Sequence, residues 1–216
     1  MSIESHQSLR GFVSTLERAH PDAVLRIAEP VDQAYQMQAL ALELERRRRF
    51  PVLLFEQVRG HSIPVVSNVM ASRRGLAAAL GVGETQLPET YAARLKEPVK
   101  PVVLERPPFP VDVRRGDAVD LGSLPIPTYF PGDGGPYLTA GLLIARDPAT
   151  GVATAGFHRF QVKGPNRLGV SLHSRRRMFE FQQREEKAGR GLSCAIAIGL
   201  HPTVGMGSLS YPAPEI

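Results

Sequence analysis

The chain is poor in cysteine and has no tryptophan. Its one cysteine, Cys194, excludes an intramolecular disulfide and any Cys-rich zinc site, which fits a reducing compartment. Aromatic residues amount to 6%. No apolar run approaches the roughly 18 residues of a membrane span, and the opening MSIESHQSLR lacks the apolar segment of a secretory leader. The histidines show neither HExxH spacing nor Cys companions. These absences point to a soluble, cytoplasmic protein with no membrane partner.

What is present is ordinary for a globular protein. The 216 residues, 43% hydrophobic and 22% charged, can bury a substantial core as one large domain or two small ones. The net charge of +5 and a pI near 9.7 raise the question of an acidic partner. The cations form no continuous stripe, however. Arg46 to Arg49 close a helical stretch running from about Asp32, where they suit the negative end of the helix dipole. Arg175 to Arg177 open another helix, where the dipole disfavours them, so an anion or acidic neighbours should face them. No aromatic residues interleave with these runs, and no nucleic acid is expected as partner. Solvated helix ends and a phosphate-bearing small ligand both remain open.

Periodicity divides the chain in two. Leu9, Phe12, Val13 and Leu16 predict a helix over 8–19, and His20-Pro21-Asp22 breaks it. Val24–Ile27 reads as a strand and Val31–Arg49 as a longer helix. Val52–Phe55 and Ile63–Val66 read as buried strands around a turn at Arg59-Gly60, and Ser72–Leu80 as a helix stopped by Gly81. This is α/β alternation over roughly residues 1–100. From Pro98 to Pro136 prolines accumulate, so an extended connector is expected. Leu138–Ala145 and Val152–Lys163 then form a hairpin about Asp147-Pro148-Ala149-Thr150-Gly151. Gly164-Pro165-Asn166 leads into Leu168–Leu172, giving an antiparallel sheet. A helix over Arg175–Ala188, capped by Ser174 and stopped by Gly189, precedes an apolar strand over Cys194–Leu200.

Read without a family, these residues carry little chemistry. Cys194 lies in an apolar strand and is expected to be a buried structural thiol. Gly132-Asp133-Gly134-Gly135 is a flexible loop without the strand–loop–helix order of a phosphate-binding loop. His158 and Arg159 are adjacent on a strand and so point to opposite faces. Arg159 is either a surface residue or, facing inward, an anion-binding one, since a buried unpaired charge is costly.

The order of segments adds a resemblance. Leu9-Arg10 with Phe12 and Leu16, then Ile27-Ala28-Glu29-Pro30-Val31, resemble the opening of UbiD-type decarboxylases, which use prenylated FMN. Leu53-Leu54-Phe55-Glu56, Ile63-Pro64-Val65-Val66-Ser67-Asn68, and Ser72-Arg73-Arg74 to Ala79-Leu80-Gly81 continue it in order. Leu124-Pro125-Ile126-Pro127 and Gly132-Asp133-Gly134-Gly135-Pro136-Tyr137-Leu138-Thr139-Ala140-Gly141 are the most distinctive stretches. Asp147-Pro148 with Thr150-Gly151 follows at the family spacing.

The resemblance implies an α/β N-terminal domain (1–105), a Pro-rich connector (106–137) and the start of a split β-barrel, flavin-reductase-like and FMN-binding, over 138–216. The family's Asn-x-x-x-x-Arg segment matches Thr154 to Arg159 here, and Arg159 matches the arginine of a Glu–Arg–Glu catalytic network. Thr154, Gly156, Phe157, His158, Arg159, Arg175, Ser208, Ser210, Tyr211 and Pro212 are thereby implied to approach prenylated FMN. Without the resemblance, the Ser/Pro stretch from Ser208 is a polar turn.

Thr154 and His173 stand nearest the family's metal positions, for Mn²⁺ or Mg²⁺ with K⁺. Thr154 replaces the usual Asn, and His173 matches only with a gap; ungapped, Arg175 or Arg177 falls there and binds flavin phosphate instead. Both catalytic acids and the dimerising C-terminal domain lie downstream in the family. The expectation is a component of a carboxy-lyase acting on a small aromatic or α,β-unsaturated carboxylic acid. A second subunit or homo-oligomer supplies the rest. A non-catalytic assembly subunit and a basic nucleic-acid binder are the other readings.

Overall fold

The computed structural model describes residues 7–100, 102–106, 111–172 and 177–209. Its first part contains α1 (Leu9–Ala19), β1 (Val24–Ile27), α2 (Gln36–Arg46), β2 (Val52–Phe55), β3 (Val65–Ser67), α3 (Arg73–Leu80) and α4 (Leu87–Lys96). The Gly11 amide donates to Ser8 Oγ at 3.0 Å and caps α1, a contact whose loss costs about 1 kcal/mol. The sheet order is β1-β2-β3, with β1 parallel to β2 and β3 antiparallel to it.

Alternation puts Val24 and Val52 on one face, beneath Phe12, Val13 and Leu16 of α1. Ile27, Leu53 and Phe55 lie on the other face, beneath Met37 and Leu44 of α2. A strand buried on both faces has no polar side to show, which explains the unbroken Val-Leu-Leu-Phe run.

Several boundaries differ from expectation. The helix expected from Val31 starts only at Gln36. Asp32 Oδ1 accepts from the Ala34 amide at 2.8 Å, and Tyr35 takes a positive φ of 68°, so the chain turns first. The strand expected from Ile63 begins at Val65, beyond Pro64, which has no amide to donate. Helix α4 went unread; it has no side-chain cap, and its proline sits in the first turn, where no donor is missed. The arginine run ends α2 in water: Arg46 and Arg47 pair with Glu43, and Arg48 turns the chain with φ 55°.

The second part holds β4 (Tyr137–Arg146), β5 (Ala153–Gly164), β6 (Arg167–Val170), α5 (Arg177–Lys187), β7 (Cys194–Ala197) and α6 (Pro202–Ser208). The strands form an antiparallel sheet in the order β6-β5-β4-β7. Leu143, Ala145 and Phe160 make its core with Met178 of α5. At the β4–β5 turn the Asp147 carboxylate is buried and bonds the Thr150 hydroxyl at 2.8 Å and the Ala149 amide at 3.1 Å. Arg184 of α5 reaches the same carboxylate at 2.8 Å. Burial alone would raise its pKa, but these donors outweigh it and hold the carboxyl below its usual value.

Cys194 is not the buried thiol expected. It is exposed, and among the described residues β7 is an edge strand paired only with β4. The strand also stops at Ala197, short of the Leu200 expected; Gly199 beyond it has φ 73°.

The connector is laced to the first part. Thr128 bridges Ala34 in parallel, its amide donating to Gln33 O at 3.2 Å and its carbonyl accepting from Tyr35 at 2.9 Å. His61 Nε2 meets Gln33 Oε1 at 2.6 Å.

Candidate functional site

Strand β5 carries five of the candidate residues, and its register decides where they point. Gly156 pairs with Leu143, Phe157 with Leu142 and His158 with Gly141. Thr154, Gly156 and His158 therefore share the face of Leu143, Ala145 and Phe160, which α5 covers. A Cβ built on Gly156 would meet His158 Nε2 at 3.6 Å, and the His158 and Phe160 rings lie 6.4 Å apart. Phe157 and Arg159 project to the opposite face. The candidates thus separate into two sets, joined only by the backbone of Gly156 to His158.

Arg159 realises its surface alternative. It is exposed and makes no ion pair or hydrogen bond with another described residue, so its guanidinium fork is open. Phe157, two residues back on the same face, keeps 36% of its surface exposed. A free fork beside a partly bare aromatic ring suits a planar ligand that carries negative charge.

Helix α6 closes over that face. Pro202 stands in its first turn and His201 caps it, Nδ1 accepting from the Thr203 amide at 3.3 Å and lying 2.7 Å from Thr203 Oγ1. Burial lowers the His201 pKa, so the neutral imidazole that this cap requires is the favoured form. Gly205 faces the sheet: a Cβ there would lie 3.2 Å from Phe157 Cζ and 2.9 Å from Met70 Sδ. Ser208 Oγ donates to Gly205 O at 2.8 Å, so this hydroxyl serves the end of the helix.

Sequence reasoning missed Met70, Gly205 and α6 itself. Glycines at 205 and 207 lower helix propensity, and the helix is held instead by packing. Its one legible signal was Pro202 behind a polar cap.

The Gly132–Gly135 loop feeds β4 rather than a helix, and it is tied down. Asp133 Oδ2 accepts from the Tyr129 and Phe130 amides at 3.2 and 2.9 Å, and Gln161 Nε2 donates to Gly134 O at 2.7 Å. Tyr129 bonds Thr139 Oγ1 at 2.6 Å. Burial raises its pKa against the pull of that bond. A separate cleft of about 470 Å³ opens between α3, α4 and α6, with Tyr91, Arg94, His201 and Met206 in its wall.

His173, Arg175, Ser210, Tyr211 and Pro212 lie outside the described residues. Among the described residues, no group of three His, Cys, Asp or Glu side chains is placed to hold a metal ion. No helix among them is long and apolar enough to cross a membrane.

Two family profiles match the chain in sequence. The 3-octaprenyl-4-hydroxybenzoate carboxy-lyase N-terminal domain covers residues 16–95, and the Rift-related domain of the same carboxy-lyase covers 102–216. The UbiD-class enzyme HmfF from Pelotomaculum thermopropionicum, solved with FMN, superimposes with a TM-score of 0.87 at 36% identity over 97% of this chain and 46% of that one. An evolved dimeric form of that enzyme, solved with prFMN, gives 0.84 at 37% identity over 94% and 46%. The anhydromevalonate phosphate decarboxylase of Methanothermobacter thermautotrophicus is 30% identical over 84% of this chain and 41% of its own length. The chain spans less than half the length of each of these relatives.

Proposed function

The chain belongs to the UbiD carboxy-lyase family, and on that premise we propose that it is a component of a UbiD-type decarboxylase that works with prenylated FMN. The substrate class is an aromatic or α,β-unsaturated carboxylic acid. In this reading the antiparallel sheet is part of a split β-barrel, and the chain divides into units 1–105, 106–137 and 138–216.

The observation that carries the proposal is Arg159. Its fork is open beside the Phe157 ring, which is about one-third exposed, and the resemblance matches it to the family's arginine. These residues suit a flavin: Phe157 would offer it a flat apolar neighbour, and Arg159 with the backbone from Gly156 to His158 would hold it. Prenylated FMN, when bound, supplies the electron sink for loss of CO₂. Arg159 binds and orients the substrate carboxylate, and its charge lowers the pKa of an acid brought near it. Phe157, packed against Gly205, keeps water from that side. The acid that protonates product carbon comes from the part of the enzyme the relatives carry beyond the matched region.

His173, the other residue nearest the family's metal positions, lies outside the described residues, so Mn²⁺ or Mg²⁺ with K⁺ enters this reading only through the resemblance and no step is routed through them. Thr154, which stands where the family presents an asparagine, favours a second reading, in which the chain is a non-catalytic assembly subunit.

The test is to express the chain in a host that makes prenylated FMN. It is then purified alone and after co-expression with a C-terminal-half polypeptide of a UbiD-class enzyme. A flavin chromophore of the prenylated mass, with CO₂ release from an aromatic acid by the pair, is the expected result. A stable pair that never holds flavin would leave only the assembly subunit.

A further inference from the structure

Helix α6 stands between the two parts of the chain, and two successive residues in it take different partners. Met206 is buried in a cluster with Ala77 and Leu80 of α3 and Leu87 of α4, against which Met70 and Tyr91 also pack. The Tyr91 hydroxyl donates to Met206 O at 2.8 Å, a bond between residues 115 apart in the chain. Gly205, the residue before, lies instead against the Phe157 ring of β5.

The contact at Gly205 leaves no room for a methyl group without movement. A Cβ there would stand 3.2 Å from Phe157 Cζ, 3.4 Å from Phe157 Cε2 and 2.9 Å from Met70 Sδ. Glycine inside a helix is disfavoured against alanine, and α6, seven residues long, gains nothing locally from it. What the glycine makes possible is the approach of helix backbone to ring. Helix α6 thereby covers the Cζ–Cε2 edge, while Phe157 keeps its exposed third on the face it shares with Arg159.

We infer that Gly205, Met70 and Tyr91 are positioning residues for the flavin: through α6, the first part of the chain sets where the Phe157 ring stands relative to Arg159. This rests on the functional reading above and adds to it a control over the site from residues outside β5. Tyr91 holds α6 by a carbonyl, Met70 backs Gly205, and Gly205 bears on the ring. A displacement of α6 reaches the ring, because close-packed groups leave little void to take it up. A planar anion lying on Phe157 and paired with Arg159 needs both in place at once. Its affinity and its optical asymmetry therefore report where the ring stands.

The test measures FMN binding to the full chain, alone and co-expressed with the C-terminal half of a UbiD-class enzyme. Flavin fluorescence gives the affinity and circular dichroism in the visible flavin band gives the asymmetry, at a temperature where each variant is folded. Gly205→Ala should raise the FMN dissociation constant at least about threefold and alter the visible band. Tyr91→Phe adds no bulk and removes the bond to Met206. It should shift both readouts the same way, by about twofold or more in the constant, and it decides alone if Gly205→Ala does not fold. Val13→Ala is the control: it truncates a buried residue of α1, packed with Val24 and Val52, so melting should fall while FMN binds as to the parent. Unchanged FMN binding in Gly205→Ala and Tyr91→Phe would overturn the inference and leave the functional reading standing. An equal shift in Val13→Ala would overturn it too, since lost stability would then account for the effect. A parent that binds no FMN, alone or paired, would refute the functional reading and the inference with it.

Discussion

Phe157 of β5 and Gly205 of α6 are packed so closely that a methyl group on the glycine would stand 3.2 Å from the ring and 2.9 Å from Met70 Sδ. The contact joins the sheet, the last described helix and the loop after β3. Gly205→Val should therefore destabilise the chain by about 1–3 kcal/mol through overpacking. Thermal melting reads the cost. Adding Met70→Ala should restore part of it, because the flexible thioether is the nearer obstacle. An additive double variant would show that the two residues do not share this space.

Two glycines on adjacent strands should respond oppositely. A Cβ on Gly141 would come within 2.8 Å of the buried Phe160 ring and 3.1 Å of Ile196 Cγ2, whereas on Gly156 it would meet only His158 Nε2 at 3.6 Å. Gly141→Ala should cost about 1–3 kcal/mol. Gly156→Ala should melt within about 0.5 kcal/mol of the parent. If Gly156 borders the flavin, its variant should instead show altered cofactor retention.

Arg159 separates function from stability. Its guanidinium is exposed and open, so Arg159→Ala should leave melting within about 0.5 kcal/mol of the parent. Turnover by the assembled enzyme should fall about 100-fold. Arg159→Lys keeps the charge but loses the bidentate fork, and its activity should fall between the two. Full activity in Arg159→Ala would remove the residue from the mechanism.

His201 makes the anchoring of α6 depend on pH. Its folded pKa lies below the ordinary 6.5, so the unfolded state takes up a proton first as pH falls. Stability should hold above about pH 6.5 and decline below it, until the folded imidazole also titrates and both donor contacts to Nδ1 are lost. Exchange at the α6 amides should accelerate over that window. His201→Asn, a capping residue without a titration, should flatten the profile.

The two textures of the fold were readable because burial imposes a period. Val52 to Phe55 is apolar throughout since both faces are covered, and Asp147 to Gly151 carries the residues its turn demands. The failures share a cause as well. Helix α4 has no side-chain cap and α6 carries glycines at 205 and 207; tertiary contacts such as the Tyr91 hydroxyl on Met206 O, 2.8 Å, hold them. Cys194 looked buried because its neighbours are apolar, but apolarity cannot tell an edge strand from a central one. At the site, sequence placed five residues on one strand. Only register revealed that Phe157 and Arg159 leave by one face while Thr154, Gly156 and His158 leave by the other.

The pairing of Thr128 with Ala34 gives the chain an unusual response to being cut. A protease nicking the exposed stretch 102–106 severs the covalent path between the two parts. It does not free them, because Thr128, on the far side of the nick, is still hydrogen-bonded to Gln33 and Tyr35. Met206 remains held by Tyr91, and Gly205 still lies against Met70. The two fragments should travel as one particle under native conditions and part only in denaturant. The connector is therefore a seam rather than a tether.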